Sequence, residues 1–391
     1  MTNLARSDLG QLFLITLHRI TITRLVDIII VMSLEDFGYN SFFEEQKNQL
    51  GFGDFVVARV ISEHRGGYKV KNTNGEYFAK VTGKQIFSAS SREDYPAVGD
   101  WVVLTEIDSK HAVIQSILPR LTIIKRKHGD RSRTGEKDET QIIATNIDIA
   151  FVIESVDRDY NLNRFERYFA IAENSGVKPA IILNKIDLIS KEELDEKLIQ
   201  LRNRFPSIDI IVTSIVSNEG LDNLRKYITK GKTYCFLGSS GVGKSSLINK
   251  LNGEDTIKTG DISSYSGRGK HVTTVRQMYF LENGGIVIDN PGIREVGMAD
   301  VGEGIDTFFD VITDLAQKCK YKNCAHIHES GCEVIAAVNA GKLDKEKYSN
   351  YINLKKEADF YELNDFERRE KDHQFGKFIK KAKKEIKEFD I

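Results

Sequence analysis

The chain has 391 residues, a length that predicts two or three domains. Its 56 Lys and Arg residues stand against 57 Asp and Glu, and the resulting net charge of −1 excludes a uniformly basic nucleic-acid binder. Any contact with nucleic acid must therefore rely on local basic clusters.

The first 49 residues are interpreted as an extension and a lead-in to the first domain. Residues 12–31 are apolar but interrupted by charged side chains, so they lack the roughly 20 consecutive apolar residues that span a bilayer. They also lack a small-residue cleavage site, and Met32 begins a stretch that resembles a natural start. We therefore expect residues 1–31 to be non-native, and the protein to be cytoplasmic and to contact no membrane.

Residues 50–118 are predicted to form a small β-barrel. Five β-rich segments, separated by turns rich in Gly and Asn, cover residues 55–61, 68–70, 77–81, 101–104 and 112–117. Five strands in about 65 residues fit an OB-fold barrel, a type that often binds oligonucleotides. A barrel with only a packing role remains the alternative.

Residues 119–140 are interpreted as a basic linker. Six basic residues and one acid lie between Arg120 and Arg133, and a second cluster of six lysines and one acid lies between Lys377 and Lys387. Such clusters are usually solvated faces. Beside an RNA-binding barrel they would neutralise phosphates and make binding depend on salt.

A guanine-binding turn is predicted after the apolar segment 180–183. It consists of Asn184, Lys185, Ile186 and Asp187. Asp187 can accept two hydrogen bonds from guanine, whereas adenine would leave its carboxylate unpaired. A further strand, residues 209–212, leads to Thr213, Ser214 and Ile215, where a backbone N–H could meet the guanine O6.

A phosphate-binding loop follows the apolar run 234–237 and fits the pattern G-x-x-x-x-G-K-[ST] at every fixed position. Its residues are Gly238, Ser239, Ser240, Gly241, Val242, Gly243, Lys244 and Ser245, with Ser246 beside them. The glycines let backbone N–H groups converge on the phosphates, Lys244 places a cation on their oxygens, and Ser245 can ligate Mg²⁺. The loop alone would also suit an ATPase or a small-molecule kinase, so base identity depends on the guanine turn.

Two further segments complete the predicted nucleotide site. The strand 285–288 leads to Asp289 and Gly292, the D-x-x-G residues that normally hold Mg²⁺ through water and meet the γ-phosphate. The basic segment 267–274 precedes them, and either Thr273 or Thr274 is expected to complete the Mg²⁺ shell.

The group that positions the attacking water is not obvious from these motifs. Position 293, where many GTPases carry glutamine, is Ile293, which can neither orient nor polarise water. His271 is the candidate catalytic residue, and a solvent-facing histidine in a basic loop is the alternative.

The order of these motifs indicates a circular permutation. In a Ras-like domain the phosphate loop precedes the guanine turn, and here it follows it. Such a permutation is tolerated because domain termini usually lie close together at the surface. The permuted domain is predicted to span residues 141–298.

Residues 299–391 are predicted to form a zinc-binding helical domain with a basic C-terminal tail. The four candidate ligands are Cys319, Cys324, His326 and Cys332. They suit a closed tetrahedral zinc site, and the alternatives are a disulfide with a spare thiol or unlinked core cysteines. His328 competes with His326 as a ligand, and Cys235 is expected to be a plain core residue.

The last 50 residues are expected to form a charged helix. Tyr348, Tyr351 and Leu354 are spaced as one apolar face, which indicates core packing rather than a ligand site.

Together, the permuted motifs and the Cys-Cys-His-Cys pattern resemble the ribosome small-subunit-dependent GTPase A family over residues 50–385. The resemblance implies a multidomain α/β chain with an N-terminal OB-fold β-barrel, a circularly permuted Ras-like P-loop GTPase domain and a C-terminal α-helical zinc-binding domain. It also implies hydrolysis of GTP to GDP and phosphate, stimulated by the small ribosomal subunit during its late maturation. The implied partners are GTP or GDP with Mg²⁺, one structural Zn²⁺ and the 16S rRNA of the subunit, bound by a monomer.

Three positions depart from the family pattern without removing a proposed ligand. They are Ile215 in place of alanine, Val272 beside the switch threonines, and Asn290 in place of threonine. The sequence leaves two alternative function classes, a nucleotide-gated RNA-binding module in which hydrolysis is secondary and a metabolic kinase. The guanine turn argues against the kinase.

Overall fold

A computed structural model of the chain describes residues 32–127, 140–157, 160–253, 276–290 and 301–362. His271, Thr273, Thr274, Gly292 and Ile293 lie outside the described residues, as do the segment 1–31 and the second basic cluster. None of the described helices is long and apolar enough to cross a membrane.

The predicted five-stranded barrel is confirmed, with strand ends that differ from the prediction by a few residues. Its strands are β1 (Val56–His64), β2 (Gly67–Asn72), β3 (Gly75–Val81), β4 (Trp101–Glu106) and β5 (His111–Ile117). Neighbours run in the order β1-β2-β3-β5-β4, and β4 pairs back onto β1, so the barrel closes. Apolar side chains at alternate positions, among them Val60, Val70 and Val102, fill its interior.

The lead-in before the barrel is folded from residue 34 onward. It contains a short 3₁₀ helix, Leu34–Phe37, and helix α1, Ser41–Gln49. Phe37 and Phe43 pack with Trp101 in a small buried cluster. These aromatic contacts hold the lead-in against the barrel.

Arg59 on β1 connects three parts of the chain although it is fully buried. Its guanidinium donates hydrogen bonds to the carbonyls of Phe37, Gly99 and Asn146. Burial lowers the pKa of Arg59 to about 10. One buried cation therefore forms hydrogen bonds with the lead-in, the barrel and the start of the next domain.

The region predicted as a basic linker contributes a strand. β6 (Ile123–Lys127) pairs with β7 (Thr140–Thr145) in a two-stranded antiparallel sheet. Arg120 of this region has a structural role, because its guanidinium donates hydrogen bonds to both carboxylate oxygens of buried Asp100 at 2.8 and 2.7 Å.

The nucleotide-binding domain is built on a mainly parallel sheet. Its strands are β8 (Ile149–Ser155), β9 (Lys178–Asn184), β10 (Asp209–Thr213), β11 (Thr233–Leu237), β12 (Gln277–Phe280) and β13 (Ile286–Asp289). They lie in the order β10-β9-β8-β11-β13-β12, with only β12 antiparallel to its neighbour. β12 also pairs with β1 at Gln277 and Ser62, which joins the sheet to the barrel.

The described residues contain ten α-helices. After α1 come α2 (Gly83–Ser88), α3 (Leu162–Asn174), α4 (Lys191–Arg204), α5 (Leu221–Tyr227), α6 (Lys244–Asn252), α7 (Gly302–Phe308), α8 (Asp310–Ala316), α9 (Glu333–Asn339) and α10 (Lys345–Glu362). One face of the parallel sheet packs against α3, α4 and the C-terminal helices, and the other against α5 and α6. Both faces are therefore buried, as the continuous apolar runs of these strands require.

The C-terminal helices are packed tightly on α3. A Cβ atom at Gly304 in α7 would come within 2.2 Å of the Ala170 carbonyl, so only glycine allows this approach. Buried Glu166 accepts hydrogen bonds from Arg204 at 2.7 Å and from Asn350 at 2.5 Å. Tyr351 and Leu354 of α10 are buried, as their spacing predicts.

Candidate nucleotide site and metal centre

The phosphate loop connects β11 to α6, as predicted. Gly238, Gly241 and Gly243 have φ values of 146°, 90° and 99°, which favour glycine. Space is also restricted, since a Cβ at Gly238 would come within 2.3 Å of the Ile153 carbonyl. Ser239, Ser240, Ser245 and Ser246 are half-buried, and Val242 is fully buried beneath the loop.

Lys244 lies at the start of α6 and is 6% exposed. Its ammonium group donates hydrogen bonds to the Gly238 and Ser239 carbonyls, both at 2.7 Å. Burial lowers the pKa of Lys244 to about 8, although the Asp289 and Glu154 carboxylates act in the opposite direction. A phosphate at this loop would supply the anion that the buried ammonium group needs.

The residues expected to hold Mg²⁺ fit that ion. The Ser245 hydroxyl donates to Asp289 Oδ2 at 3.0 Å, which brings together the two groups predicted from separate motifs. Asp289 is fully buried, and its Oδ1 atom has no hydrogen-bond partner among the described residues. An orphaned, buried carboxylate oxygen beside a serine hydroxyl is suited to a hydrated divalent cation.

Asn184 ties the guanine turn to the phosphate loop. Its side-chain amide donates to the Val242 carbonyl at 2.7 Å and accepts from the Thr213 hydroxyl at 2.9 Å. A Cβ at Gly243 would come within 2.4 Å of the same amide. The guanine turn and the phosphate loop therefore meet at the carboxyl ends of the parallel strands β9, β10 and β11.

Asp187 and Ser214 also come together, although 27 positions separate them in the chain. The Ser214 hydroxyl donates to Asp187 Oδ1 at 2.5 Å. Asp187 is exposed, whereas Ser214 and Ile186 are buried, so the serine orients a carboxylate that faces outward. Ile215 is half-buried and lies 3.5 Å from where a Cβ at Gly243 would be.

The sequence does not predict two contacts of the site, one made by Thr213 of the segment expected to meet guanine and one made by Asp157. Thr213 holds the Asn184 side chain, and Asp157 forms an ion pair with Lys185 at 3.3 Å. Lys185 itself has a φ of 61°, a left-handed conformation that is uncommon outside glycine. Thr213 stands directly before Ser214, but Asp157 lies in a turn that carries no motif.

Cys235 is a buried core residue, as predicted, but it also has a polar partner. The Asn290 amide donates to Cys235 Sγ at 2.9 Å, which connects the end of β13 to the strand that leads into the phosphate loop. Burial raises the pKa of the Cys235 thiol to about 12, so it stays protonated.

The four predicted zinc ligands form one cluster. The ligand atoms of Cys319, Cys324, His326 and Cys332 all lie within 4.8 Å of one another. Cys319 Sγ lies 3.8 Å from Cys332 Sγ, and His326 Nδ1 lies 3.6 and 3.4 Å from these two sulfurs. A tetrahedral zinc ion with Zn–S bonds of about 2.3 Å requires ligand separations of about 3.4–3.8 Å. The separations among Cys319, His326 and Cys332 therefore fit Zn²⁺, and Cys324 lies within 4.8 Å of all three. All four cysteines of the chain are free of disulfides.

Contacts around the cluster select one histidine. His326 is buried with a φ of 59°, and its carbonyl accepts a hydrogen bond from the Tyr348 hydroxyl at 2.6 Å. His328 is exposed and does not belong to the cluster. Hydrogen bonds from its own backbone N–H and from the N–H groups of residues 327, 325 and 328 lower the pKa of Glu329 to about 2. The ligand loop is thus held by its own polar contacts.

Known proteins are similar to this chain in sequence and in architecture. A family model described as RsgA GTPase matches residues 117–299. The chain is 36% identical to the small ribosomal subunit biogenesis GTPase RsgA 1 of Bacteroides thetaiotaomicron over 355 residues, which cover 90% of this chain and 97% of the relative. It is 40% identical to RsgA 2 of Lactiplantibacillus plantarum over 309 residues, or 79% of this chain and 85% of that one.

Two crystal structures share the fold. YjeQ from Thermotoga maritima has a TM-score of 0.58 at 25% identity and covers 76% of this chain and 96% of its own. YloQ, a circularly permuted GTPase, has a TM-score of 0.55 at 22% identity and covers 79% and 97%. The permuted fold predicted from the order of the motifs is therefore confirmed.

Proposed function

Because the chain belongs to the RsgA GTPase family, we propose that it hydrolyses GTP and acts in the biogenesis of the small ribosomal subunit. The hydrogen bond from Asn184 to the Val242 carbonyl carries this proposal at the site. This hydrogen bond joins the guanine turn to the phosphate loop, so one rigid unit can bind both the base and the phosphates.

The described residues support binding of the nucleotide in the following way. Asp187, oriented by Ser214, accepts hydrogen bonds from the guanine edge. Lys244 exchanges the loop carbonyls for phosphate oxygens, and the loop N–H groups bind the same oxygens. Mg²⁺, held by Ser245 and through water by Asp289, would neutralise charge on the β and γ phosphates.

Hydrolysis requires a group that positions the attacking water. None of the described residues at the site offers one beyond the phosphate ligands, and position 293 is isoleucine. His271 is proposed for this role, with Thr273 or Thr274 completing the Mg²⁺ shell and the Gly292 N–H meeting the γ-phosphate. Slow turnover in isolation and stimulation by a partner follow from this arrangement.

The zinc cluster is proposed to be structural. Four protein ligands close a tetrahedral site, so no position is left for a substrate. One Zn²⁺ per chain would therefore stabilise the C-terminal helices, which pack directly on α3 of the nucleotide domain.

The small ribosomal subunit is the proposed partner, contacted through its 16S rRNA by the barrel and its basic neighbours. The protein would act as a monomer in the cytoplasm, where its zinc-binding thiols stay reduced. The names of its relatives support the subunit, and the barrel supports the RNA contact.

Measurement of GTP turnover with purified small subunits tests the proposed function. We expect slow release of phosphate by the protein alone and a large increase with small subunits, but not with large subunits. Lys244→Ala is the control and should abolish turnover in all conditions. Equal rates with and without small subunits would contradict the proposal.

A further inference from the structure

The guanine turn contains an ion pair that its motif does not require. The Lys185 ammonium lies 3.3 Å from Asp157 Oδ2, and Asp157 belongs to the turn that follows β8. Both side chains are half-buried, with 26% and 29% of their surfaces exposed. An ion pair that water can reach stabilises a fold only slightly, so its position beside the nucleotide site is the feature to explain.

The ion pair crosses the carboxyl ends of the parallel strands. Lys185 follows β9 and Asp157 follows β8, which lies between β9 and β11 in the sheet. The Lys185 side chain therefore extends from the guanine turn towards the strand that carries the phosphate loop. A nucleotide with its base at Asp187 and its phosphates at residues 238–245 must cross the same strand ends. The methylene groups and the ammonium of Lys185 are thus placed to cover one face of the base.

Two further contacts anchor the Asp157 carboxylate to the sheet. The hydroxyl of buried Ser155, the last residue of β8, donates to Asp157 Oδ1 at 2.8 Å, while Oδ2 accepts from Lys185. The Val156 N–H donates to the Asn184 carbonyl at 3.1 Å, which joins the turn after β8 to the residue before Lys185. The acceptor of the lysine is therefore fixed relative to the guanine turn.

The conformation of Lys185 gives this anchoring a consequence for binding. Its backbone is left-handed, with a φ of 61°, and its long side chain has many rotamers when it is free. A lysine that becomes ordered only when the base arrives would lose this freedom at the expense of affinity. The ion pair with Asp157 orders the side chain in the nucleotide-free protein, so that loss precedes binding.

We propose that Asp157 is a positioning residue for guanine nucleotides, which holds the Lys185 side chain in its binding conformation. The inference rests on the proposed function, because it takes residues 184–187 as the guanine-binding turn. A second Lys–Asp pair offers a structural comparison: Lys178 and Asp209 lie 2.9 Å apart at the amino ends of β9 and β10, away from the site. A pair that only stabilises the fold would act in the same way at either end of the strands.

Titration of the full chain with GDP that carries a fluorescent N-methylanthraniloyl group on its ribose tests the inference. Asp157→Ala should raise the Kd about 2- to 12-fold, the range expected when one long side chain must be ordered on binding. Asp209→Ala removes the partner of Lys178 and should leave the Kd unchanged. Each variant loses one accessible ion pair, so both should remain folded, which thermal unfolding checks.

A double-mutant cycle shows whether Asp157 acts through Lys185. Lys185→Met keeps an unbranched side chain but removes the ammonium, so Asp157→Ala should have no further effect on the Kd in this background. In GTP turnover with small subunits, Asp157→Ala should raise KM by the same factor as the Kd and leave kcat unchanged. That split is expected because Asp157 acts on the base and not on the γ-phosphate.

The outcomes distinguish this inference from the proposed function. Parental GDP affinity in Asp157→Ala would overturn the inference, as would a rise of the same size in the Lys185→Met background or in Asp209→Ala. A lower kcat with an unchanged KM in Asp157→Ala would also overturn it. If small subunits fail to stimulate the parental protein while the Kd values change as expected, the proposed function fails and the positioning role of Asp157 stands.

Discussion

The Asn184 side-chain amide donates a hydrogen bond to the Val242 carbonyl at 2.7 Å, so the guanine turn directly supports the phosphate loop. Asn184→Ala removes this bond and leaves the buried Thr213 hydroxyl without its acceptor. We expect a loss of about 1–3 kcal/mol in the free energy of unfolding, and a rise of at least about fivefold in the Kd for GDP. Calorimetry and fluorescent-nucleotide titration measure the two effects. Asn40→Ala, which removes the cap of α1, should lower stability alone.

Base specificity is expected to depend on Asp187. Asp187→Asn replaces one acceptor oxygen by a donor, so the Kd for GTP should rise about 10- to 150-fold, the effect of losing a charge-assisted hydrogen bond. Xanthosine triphosphate, which presents a carbonyl at C2, should gain relative to GTP. Competition binding with both nucleotides measures the change. Equal GTP affinity in the variant and the parent would remove Asp187 from the base pocket.

The buried Lys244 predicts a pH dependence of stability in the nucleotide-free protein. Folding lowers the pKa of this lysine from 10.5 to about 8, because burial penalises the charged form. Below pH 8 the lysine is charged in both states, so the folded state carries the full penalty of about 3 kcal/mol. As pH rises from about 8 to 10.5 the unfolded chain binds more protons, and stability should rise by about that amount.

Comparison with Lys244→Met isolates this effect from other titrating groups. The free energy of unfolding of the parent, relative to the variant, should increase over this pH window and stay constant below it. Urea unfolding between pH 7 and pH 10.5 measures the difference. A constant difference over the whole range would show that Lys244 has an ordinary pKa.

The cysteine cluster predicts one Zn²⁺ per chain. Cys324→Ser should lose the metal and destabilise the C-terminal helices by more than about 4 kcal/mol, because ligation contributes directly to folding. Metal analysis and thermal unfolding measure both effects. His328→Ala and Cys235→Ser should each retain one Zn²⁺, since neither residue belongs to the cluster. Parental protein purified without chelator and lacking zinc would refute the assignment.

His271 is predicted to position the attacking water. His271→Ala should retain binding to small subunits in the presence of a non-hydrolysable GTP analogue, since no phosphate ligand is removed. Subunit-stimulated hydrolysis should fall about 100-fold or more. A variant that hydrolyses GTP on the subunit at the parental rate would assign the water to the backbone or to ribosomal RNA.

The sequence predicted those parts of the molecule whose signals are local. The five barrel strands carry alternating apolar residues between turns, and the phosphate loop has its glycines at fixed spacing. The bond between Asn184 and Val242 joins residues 58 positions apart, and that between Asp100 and Arg120 spans 20. Such contacts depend on how segments approach in space. The sequence therefore places Arg120 in a basic linker, although in the structure it forms a buried ion pair with Asp100.

The sequence also does not predict which charged residues are buried. Glu166 lies on α3 among apolar neighbours, and its partners Arg204 and Asn350 come from distant helices. No residue near Glu166 in the sequence indicates that Arg204 and Asn350 are its partners. The sequence therefore does not predict the contact between the nucleotide domain and the C-terminal helices.

The three carbonyls that share the Arg59 guanidinium restrict how this protein can change during evolution. Phe37, Gly99 and Asn146 each offer a main-chain oxygen to the guanidinium, so the positions of these three backbone segments are fixed relative to Arg59. An insertion between any two of these segments that shifts one carbonyl would leave a fully buried cation short of an acceptor. The barrel should therefore be inherited, or exchanged between relatives, only together with residues 37 and 146, and chimaeras cut between them should fold poorly.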